Sequence, residues 1–264
     1  MKAMIFAAGL GTRFKPWTDK HPKALAPING KSLLERNILY LRQFGITEVM
    51  VNVHHFADQI IEAIETNEEW GSKITISDES DAVLETGGGL KKAAWFFTEG
   101  PFVVMNADIL TDLNLGGMIS FHHAHAPLAT LAVTDRKSSR FFLFDQQERL
   151  RGWQNTKTGE ERLVGSTPGP VTKDSSGLKN HSPSPLPDLP TPSSTPLTGK
   201  AFSGIHIISP EIFPLMQQEG KFSIVDVYLE LAASRIIKGF DHSGSRLVDV
   251  GKPGAVVVAE GLFY

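Results

Sequence analysis

The sequence predicts an α/β fold: a Rossmann-like, mostly parallel mixed sheet with helices on both faces and an antiparallel-rich second half. Three observations lead there. Short apolar runs alternate with helical periodicity as far as about residue 135, the first apolar run ends in a glycine turn, and the later apolar runs are separated only by polar turns. Ala3 to Ala7 reads as the first buried strand, closed by Gly9-Leu10-Gly11. Leu33, Leu34, Ile38, Leu41 and Phe44 recur at helical spacing, and Gly45 supplies a stop. Val49 to Val53 is the second strand, and Ala57 to Glu68 a helix with Ile60, Ile61 and Ile64 on one side. Ile74 and Ile76 mark a third strand. Gly87-Gly88-Gly89 opens a helix ending near Phe97, and Phe102 to Met105 is a strand running into Asn106-Ala107-Asp108. Beyond it, Ala129 to Thr134, Phe141 to Phe144, Leu150 to Trp153 and Phe202 to Ile208 read as strands, with an apolar-faced helix within Phe222 to Ile237. Leu247 to Val250 and Val256 to Val258 read as closing strands.

Composition removes whole classes of function. The 264 residues are 41% hydrophobic and 21% charged, an ordinary globular mixture. No cysteine is present, so disulfide scaffolds, cysteine-ligated zinc, iron–sulfur clusters and thiol nucleophiles are excluded together. Twenty-six basic against 29 acidic residues give a net charge of −3, which draws neither nucleic acid nor an anionic membrane. The apolar run at Ala3 to Ala8 is too short for a secretory signal or a membrane span, so the expected location is cytoplasmic and the expected state a monomer or small homo-oligomer. Eight of the 16 prolines fall between Pro168 and Pro196. Residues 165–200 therefore read as a Pro/Ser/Thr-rich insertion loop inside one domain spanning 1–264.

The chemistry starts at Gly9-Leu10-Gly11-Thr12-Arg13-Phe14. A dinucleotide fingerprint needs a small residue where Phe14 stands, and a nucleoside-triphosphatase P-loop needs a Gly-Lys-Ser/Thr that the chain lacks. What remains is a strand followed by a glycine-rich turn with its own arginine. Such a turn lets backbone N–H groups converge on anionic oxygens beside a forked cation.

Ala7-Ala8-Gly9-Leu10-Gly11-Thr12-Arg13, then Pro16, Thr18 and Pro22-Lys23, resembles the signature of the sugar-1-phosphate nucleotidyltransferases, closest to their short single-domain bacterial type. Further segments match at separate places: Leu84 to Gly89, Asn106-Ala107-Asp108, Phe202-Ser203-Gly204-Ile205 and Val248 to Pro253. The resemblance implies the nucleotidyltransferase (GT-A-like) fold, a nucleoside triphosphate and a sugar 1-phosphate as substrates, and Mg²⁺. It implies that Asp108 and Asp249 hold the metal, that Arg13 meets the triphosphate, and that Lys23 bridges the two phosphates. Ala8, Gly9, Gly11 and Thr12 would line the nucleotide with backbone groups, with Asn106 beside them, while Gly87 and Gly88 let the base approach. It further implies nucleotidyl transfer for envelope polysaccharide, with uridylyl transfer to an amino-sugar 1-phosphate preferred. A mannose- or heptose-1-phosphate guanylyltransferase, a phosphocholine cytidylyltransferase and a non-catalytic nucleotide-sugar regulator are the alternatives.

The chain departs from the family where a lysine usually grips the sugar phosphate, for Trp153-Gln154-Asn155 stands there. Arg140, Lys157 and Lys252 are the possible replacements, with Arg140 preferred for its bidentate fork, and Asn155 and Gly204 complete the expected sugar side. His54 is expected near the pocket by family position. His122 and His123 read as helix-surface residues, and the spacing with His125 does not suit zinc. These roles predict that Asp108→Asn abolishes pyrophosphate release at saturating Mg²⁺ while leaving the unfolding transition in place. Release at the unsubstituted rate would remove Asp108 from the site.

Overall fold

The computed structural model describes residues 1–165 and 196–264, so nearly all of the proline-rich stretch at 165–200 lies outside the described residues. Strand β1 (Lys2–Phe6) leads through the glycine turn to a short hairpin, β2 (Pro27–Ile28) and β3 (Lys31–Ser32). Then come α1 (Leu33–Gln43), β4 (Glu48–Val53), α2 (Ala57–Thr66), β5 (Lys73–Asp78), α3 (Glu85–Lys92) and β6 (Phe102–Asn106). A tight turn joins β6 to β7 (Ile109–Thr111), followed by α4 (Leu115–His125) and the strands β8 (Ala129–Thr134), β9 (Arg140–Phe144), β10 (Leu150–Asn155) and β11 (Glu160–Leu163). The chain closes with β12 (Thr198–Ile208), α5 (Ile224–Leu231), β13 (Ile237–Asp241), β14 (Leu247–Asp249) and α6 (Gly254–Leu262).

The main sheet runs β11-β10-β9-β12-β6-β1-β4-β5, with β8 paired to β12 and β13 to β8. Its first half is parallel, β6-β1-β4-β5, and its second half is antiparallel apart from the β8–β13 pair. Alternate residues of each strand feed opposite cores. Met4, Phe102 and Val104 face Leu90 of α3 and Val227 and Tyr228 of α5. Ala3, Ile5, Val103 and Met105 face Leu34 and Ile38 of α1, Ile60 of α2 and Met118 of α4. Each such large apolar side chain contributes roughly 1.5–3 kcal/mol by leaving water. Helix starts are fixed locally: Ser32 Oγ accepts from Glu35 N at 3.1 Å, and Asn114 Oδ1 from Gly117 N at 3.0 Å. No described helix is long and apolar enough to cross a membrane.

Two readings from sequence are corrected. Val256 to Val258 belongs to α6, not to a strand. Three consecutive valines carry no period of their own, and Pro253, already in helical geometry, starts a helix whose inner side packs on Phe14 and Val250. Ile237 leaves the α5 segment to begin β13, because it pairs with Ala129. The histidine pair is also corrected in part. His122 is only 1% exposed and bonds through its ring to Thr130 Oγ1 at 2.9 Å and Ser209 Oγ at 3.3 Å, while His123 is exposed.

Burial pushes His122 down to about 4 and His206 down to about 3. Both rings are held neutral in the fold but charge in the unfolded chain below about 6.5, so stability falls as pH drops from about 6.5 toward those values. Urea unfolding at pH 7, 5.5 and 4.5 is expected to show this decline, and His122→Gln to flatten it. An unchanged slope in His122→Gln would contradict the burial argument.

Candidate active site

A cleft of roughly 450 Å³ opens at the carboxyl ends of β1, β4 and β6. This is where an open α/β sheet leaves room for a ligand between the loops of neighbouring strands. Ala8, Gly9, Gly11, Thr12, Arg13, Lys23, Asn106 and Asp108 all line it. Residues from three separate sequence segments therefore meet there.

The first wall is the turn after β1. Gly11 stands at φ +60°, and a Cβ on it would come within 2.7 Å of Thr18 Cγ2. Thr18 Oγ1 donates to Gly11 O at 2.9 Å, which folds the loop back on itself. A Cβ on Gly9 would meet nothing within 4 Å, so the space over that residue belongs to the cleft. Farther along, the Trp17 ring lies 4.7 Å from that of His21 at a tilt of 37°, the Nδ1 of His21 meets Gln59 Oε1 at 3.0 Å, and Gln59 Nε2 donates to Lys20 O at 2.9 Å. The signature loop is thereby tied to α2.

The second wall carries the charges. Lys23 Nζ forms an ion pair with Asp108 Oδ2, with side chains 13% and 25% exposed. The Lys23 ammonium also lies 5.9 Å from the centre of the Phe14 ring. Asp108 occupies the β6–β7 turn, and its carbonyl accepts from Val250 N at 2.8 Å. That bond extends the β7–β14 ladder, in which Asp249 pairs with Ile109. Asp249 is exposed and does not itself line the cleft, but Gly251 does. A Cβ on Gly251 would stand 2.8 Å from Asp249 Oδ1 and 3.5 Å from Arg13 Nη2, so this bare position brings those two side chains close.

A buried trio, Ala7, Asn52 and Glu79, links the first wall to the segment that follows β5. Asn52 Oδ1 accepts from Ala7 N at 2.7 Å and from Ala8 N at 3.4 Å, while its Nδ2 donates to Glu79 Oε1 at 2.8 Å. The N–H of Ala8 is thus already directed at Asn52. Glu79 is 1% exposed, and its burial raises its pKa, offset in part by the Asn52 bond. Gly89 makes room for the pair, since its Cβ would lie 2.6 Å from Glu79 Oε1. Sequence reasoning did not find Asn52 or Glu79 as site residues. One polar residue inside Val51-Asn52-Val53 was the available signal, whereas Glu79 sits in a polar stretch that offers none. His54 does not line the cleft; its Nδ1–H donates to Glu79 O at 2.6 Å.

Gly87 and Gly88 do not line the cleft either. Both N–H groups donate to Phe222 O, at 2.9 and 3.3 Å. A Cβ on Gly87 would reach 2.4 Å from the Phe222 ring, and one on Gly88 would reach 2.1 Å from Gly220 O. These glycines admit a strap, residues 220–222, that holds Glu85 and Thr86 at the cleft edge. Gly204, at φ +72°, abuts Asn106, whose Nδ2 is 2.6 Å from where its Cβ would be. Arg140 and Asn155 face each other across β9 and β10 but are not among the cleft residues. Asn155 Oδ1 instead accepts from Lys157 N at 3.1 Å. A cation missed from sequence stands nearer: Lys221 Nζ is 3.5 Å from Glu85 Oε1, and Glu85 lines the cleft.

The two glycine environments predict opposite outcomes. Gly88→Ala forces backbone apart and is expected to cost roughly 1–3 kcal/mol of unfolding free energy. Gly9→Ala is expected to leave stability within about 0.5 kcal/mol but to raise the apparent KM for the triphosphate. Thermal unfolding and steady-state pyrophosphate release on both variants check this.

Comparisons with known proteins agree on the class. Residues 2–148 match the family model described as nucleotidyl transferase. The chain is 32% identical to an N-acetylmuramate alpha-1-phosphate uridylyltransferase of Caulobacter vibrioides, over 98% of this chain and 95% of that one. It is 29% identical to a UTP–glucose-1-phosphate uridylyltransferase of Synechocystis, over 96% of this chain and 60% of that one. Its fold superposes on HddC from Yersinia pseudotuberculosis complexed with GMP-PN with a TM-score of 0.72 at 21% identity, covering 100% and 99% of the two chains. With the fold, the converging cleft and this family match together, the chain belongs to the nucleotidyl transferase family and is an enzyme of the sugar-1-phosphate nucleotidyltransferase class.

Proposed function

We propose that this enzyme transfers a uridylyl group from UTP to an amino-sugar 1-phosphate, of the N-acetylmuramate type, for envelope polysaccharide, and that residues 1–264 act as one catalytic domain. The carrying observation is the meeting of Arg13, Lys23 and Asp108 in one cleft beside an open glycine turn. The choice of substrates is supported by the identity that runs almost end to end with the Caulobacter uridylyltransferase.

In the reaction a sugar-phosphate oxygen attacks the α-phosphorus of the triphosphate, the bond to the β-phosphate oxygen breaks, and pyrophosphate leaves. The attacking phosphate is already anionic at neutral pH, so no general base is required. The task is to bring two anions together and to neutralise charge on the transferred and leaving groups. Gly9, Gly11 and Thr12 line the triphosphate, with Ala8 and Asn106 at its inner end. Arg13, exposed at the mouth, meets the β- and γ-phosphates as a fork. Lys23 reaches between the α-phosphate and the incoming phosphate. The 79–86 segment, strapped by Phe222, forms the wall for the base. Gly204, Arg140 and Asn155 belong to the sugar side, and Lys221 joins Arg140 as a candidate for the missing phosphate lysine.

Asp108 and Asp249 fit Mg²⁺ by their chemistry. Both are hard oxygen donors at adjacent ends of one ladder, and a cation, the Lys23 ammonium, already stands at Asp108. Bound there, Mg²⁺ would supply additional neutralisation of phosphate charge.

Pyrophosphate release across UTP, GTP, CTP and dTTP with N-acetylmuramate, N-acetylglucosamine, glucose and mannose 1-phosphates tests the proposal. UTP with N-acetylmuramate 1-phosphate is expected to give the highest kcat/KM, by at least about tenfold. A preference for GTP with mannose 1-phosphate would overturn the substrate assignment.

A further inference from the structure

Lys23 and Asp108 are both assigned to a highly charged ligand, yet in the free protein they serve each other. The contact is largely shielded, at 13% and 25% side-chain exposure, and both residues line the cleft. An ammonium held on Asp108 Oδ2 neutralises that carboxylate and blocks one of its two oxygens. Separating the pair without a replacement would leave two half-buried charges uncompensated, which is strongly unfavourable. A hydrated divalent cation arriving alone must therefore displace the ammonium and then tolerate it nearby as a like charge. A triphosphate changes this balance, because it gives Lys23 another anion within the same cleft, where Arg13 and the glycine turn converge. Asp108 is the carboxylate that Lys23 pairs with among the described residues, and the Lys23 ammonium lies 5.9 Å from the centre of the Phe14 ring.

We propose that Lys23 is an internal counter-ion that withholds Asp108 from divalent metal until a triphosphate draws the lysine away, so that metal and nucleotide bind as a unit. This rests on the functional reading above, in which Asp108 is a metal ligand. The free enzyme then holds metal alone only weakly.

The test is Mn²⁺ binding to the full chain without nucleotide, followed by electron paramagnetic resonance of free Mn²⁺ at fixed ionic strength. Lys23→Met is expected to bind Mn²⁺ about tenfold more tightly than the unsubstituted protein, from lost competition and lost like-charge repulsion. Lys20→Met, which removes the same charge from the exposed part of that loop, is expected to stay within about twofold. No gain in Lys23→Met, with an Asp108-dependent site present, overturns this inference alone. Equal Mn²⁺ affinity in Lys23→Met and the double variant Lys23→Met/Asp108→Asn puts the metal elsewhere and overturns the functional reading with it.

A second measurement needs no variant. Lysine acylation followed by mass spectrometry is expected to label Lys23 slowly in the free protein, faster with saturating Mn²⁺, and slowly again when UTP is added. Labelling of Lys23 that does not change with Mn²⁺ alone overturns the inference.

Discussion

The site depends on the side chain of one buried asparagine. Asn52 sits inside the parallel half of the sheet, where an unsatisfied amide would be costly, and it spends its oxygen on the turn after β1 and its nitrogen on Glu79. That single amide holds two cleft walls at a fixed separation. It also explains two neighbours. Glu79 must be buried to meet it, and Gly89 must lack a side chain so that both fit. An aspartate at position 52 would keep the shape but lose the N–H that Glu79 Oε1 accepts, setting two carboxylates against each other.

Much of the parallel half was legible because its determinants are local. Apolar runs of strand length, helix-spaced leucines and isoleucines, and the Gly45 stop after α1 each act within a few residues. The Gly9 to Lys23 signature was legible for the same reason, since the turn and its cations are contiguous. What escaped was non-local. The bare faces of Gly87 and Gly88 are set by Phe222 and Gly220, far along the chain, and periodicity carries no trace of that partner. Val256 to Val258 escaped because a short apolar run takes its form from what it packs on, here Phe14 and Val250. His122 escaped because its partners, Thr130 and Ser209, arrive from two different strands' ends.

The charges in and beside the cleft are distributed by the same logic. Asp108 and Asp249 are distant in sequence but are brought to one end of the β7–β14 ladder by backbone pairing alone. Arg13 and Lys23 come from the contiguous signature loop, tied down through His21 and Gln59. One set of charges is therefore positioned by sheet registry and the other by a loop, so the two can respond to ligand with different stiffness.

The strap over α3 bears on the order in which the molecule is completed. Residues 220–222 cover Gly87 and Gly88, and Val250 fixes Asp108, so the amino-terminal half does not contain its own finished cleft. During synthesis the glycine turn and its cations emerge early, but the wall that faces them gains its backing only after residues 220–222 and Val250 have left the ribosome. In an enzyme built this way the cations of the cleft and the backing of the wall that faces them come from segments far apart in the chain, so a nascent chain carries the first well before it carries the second.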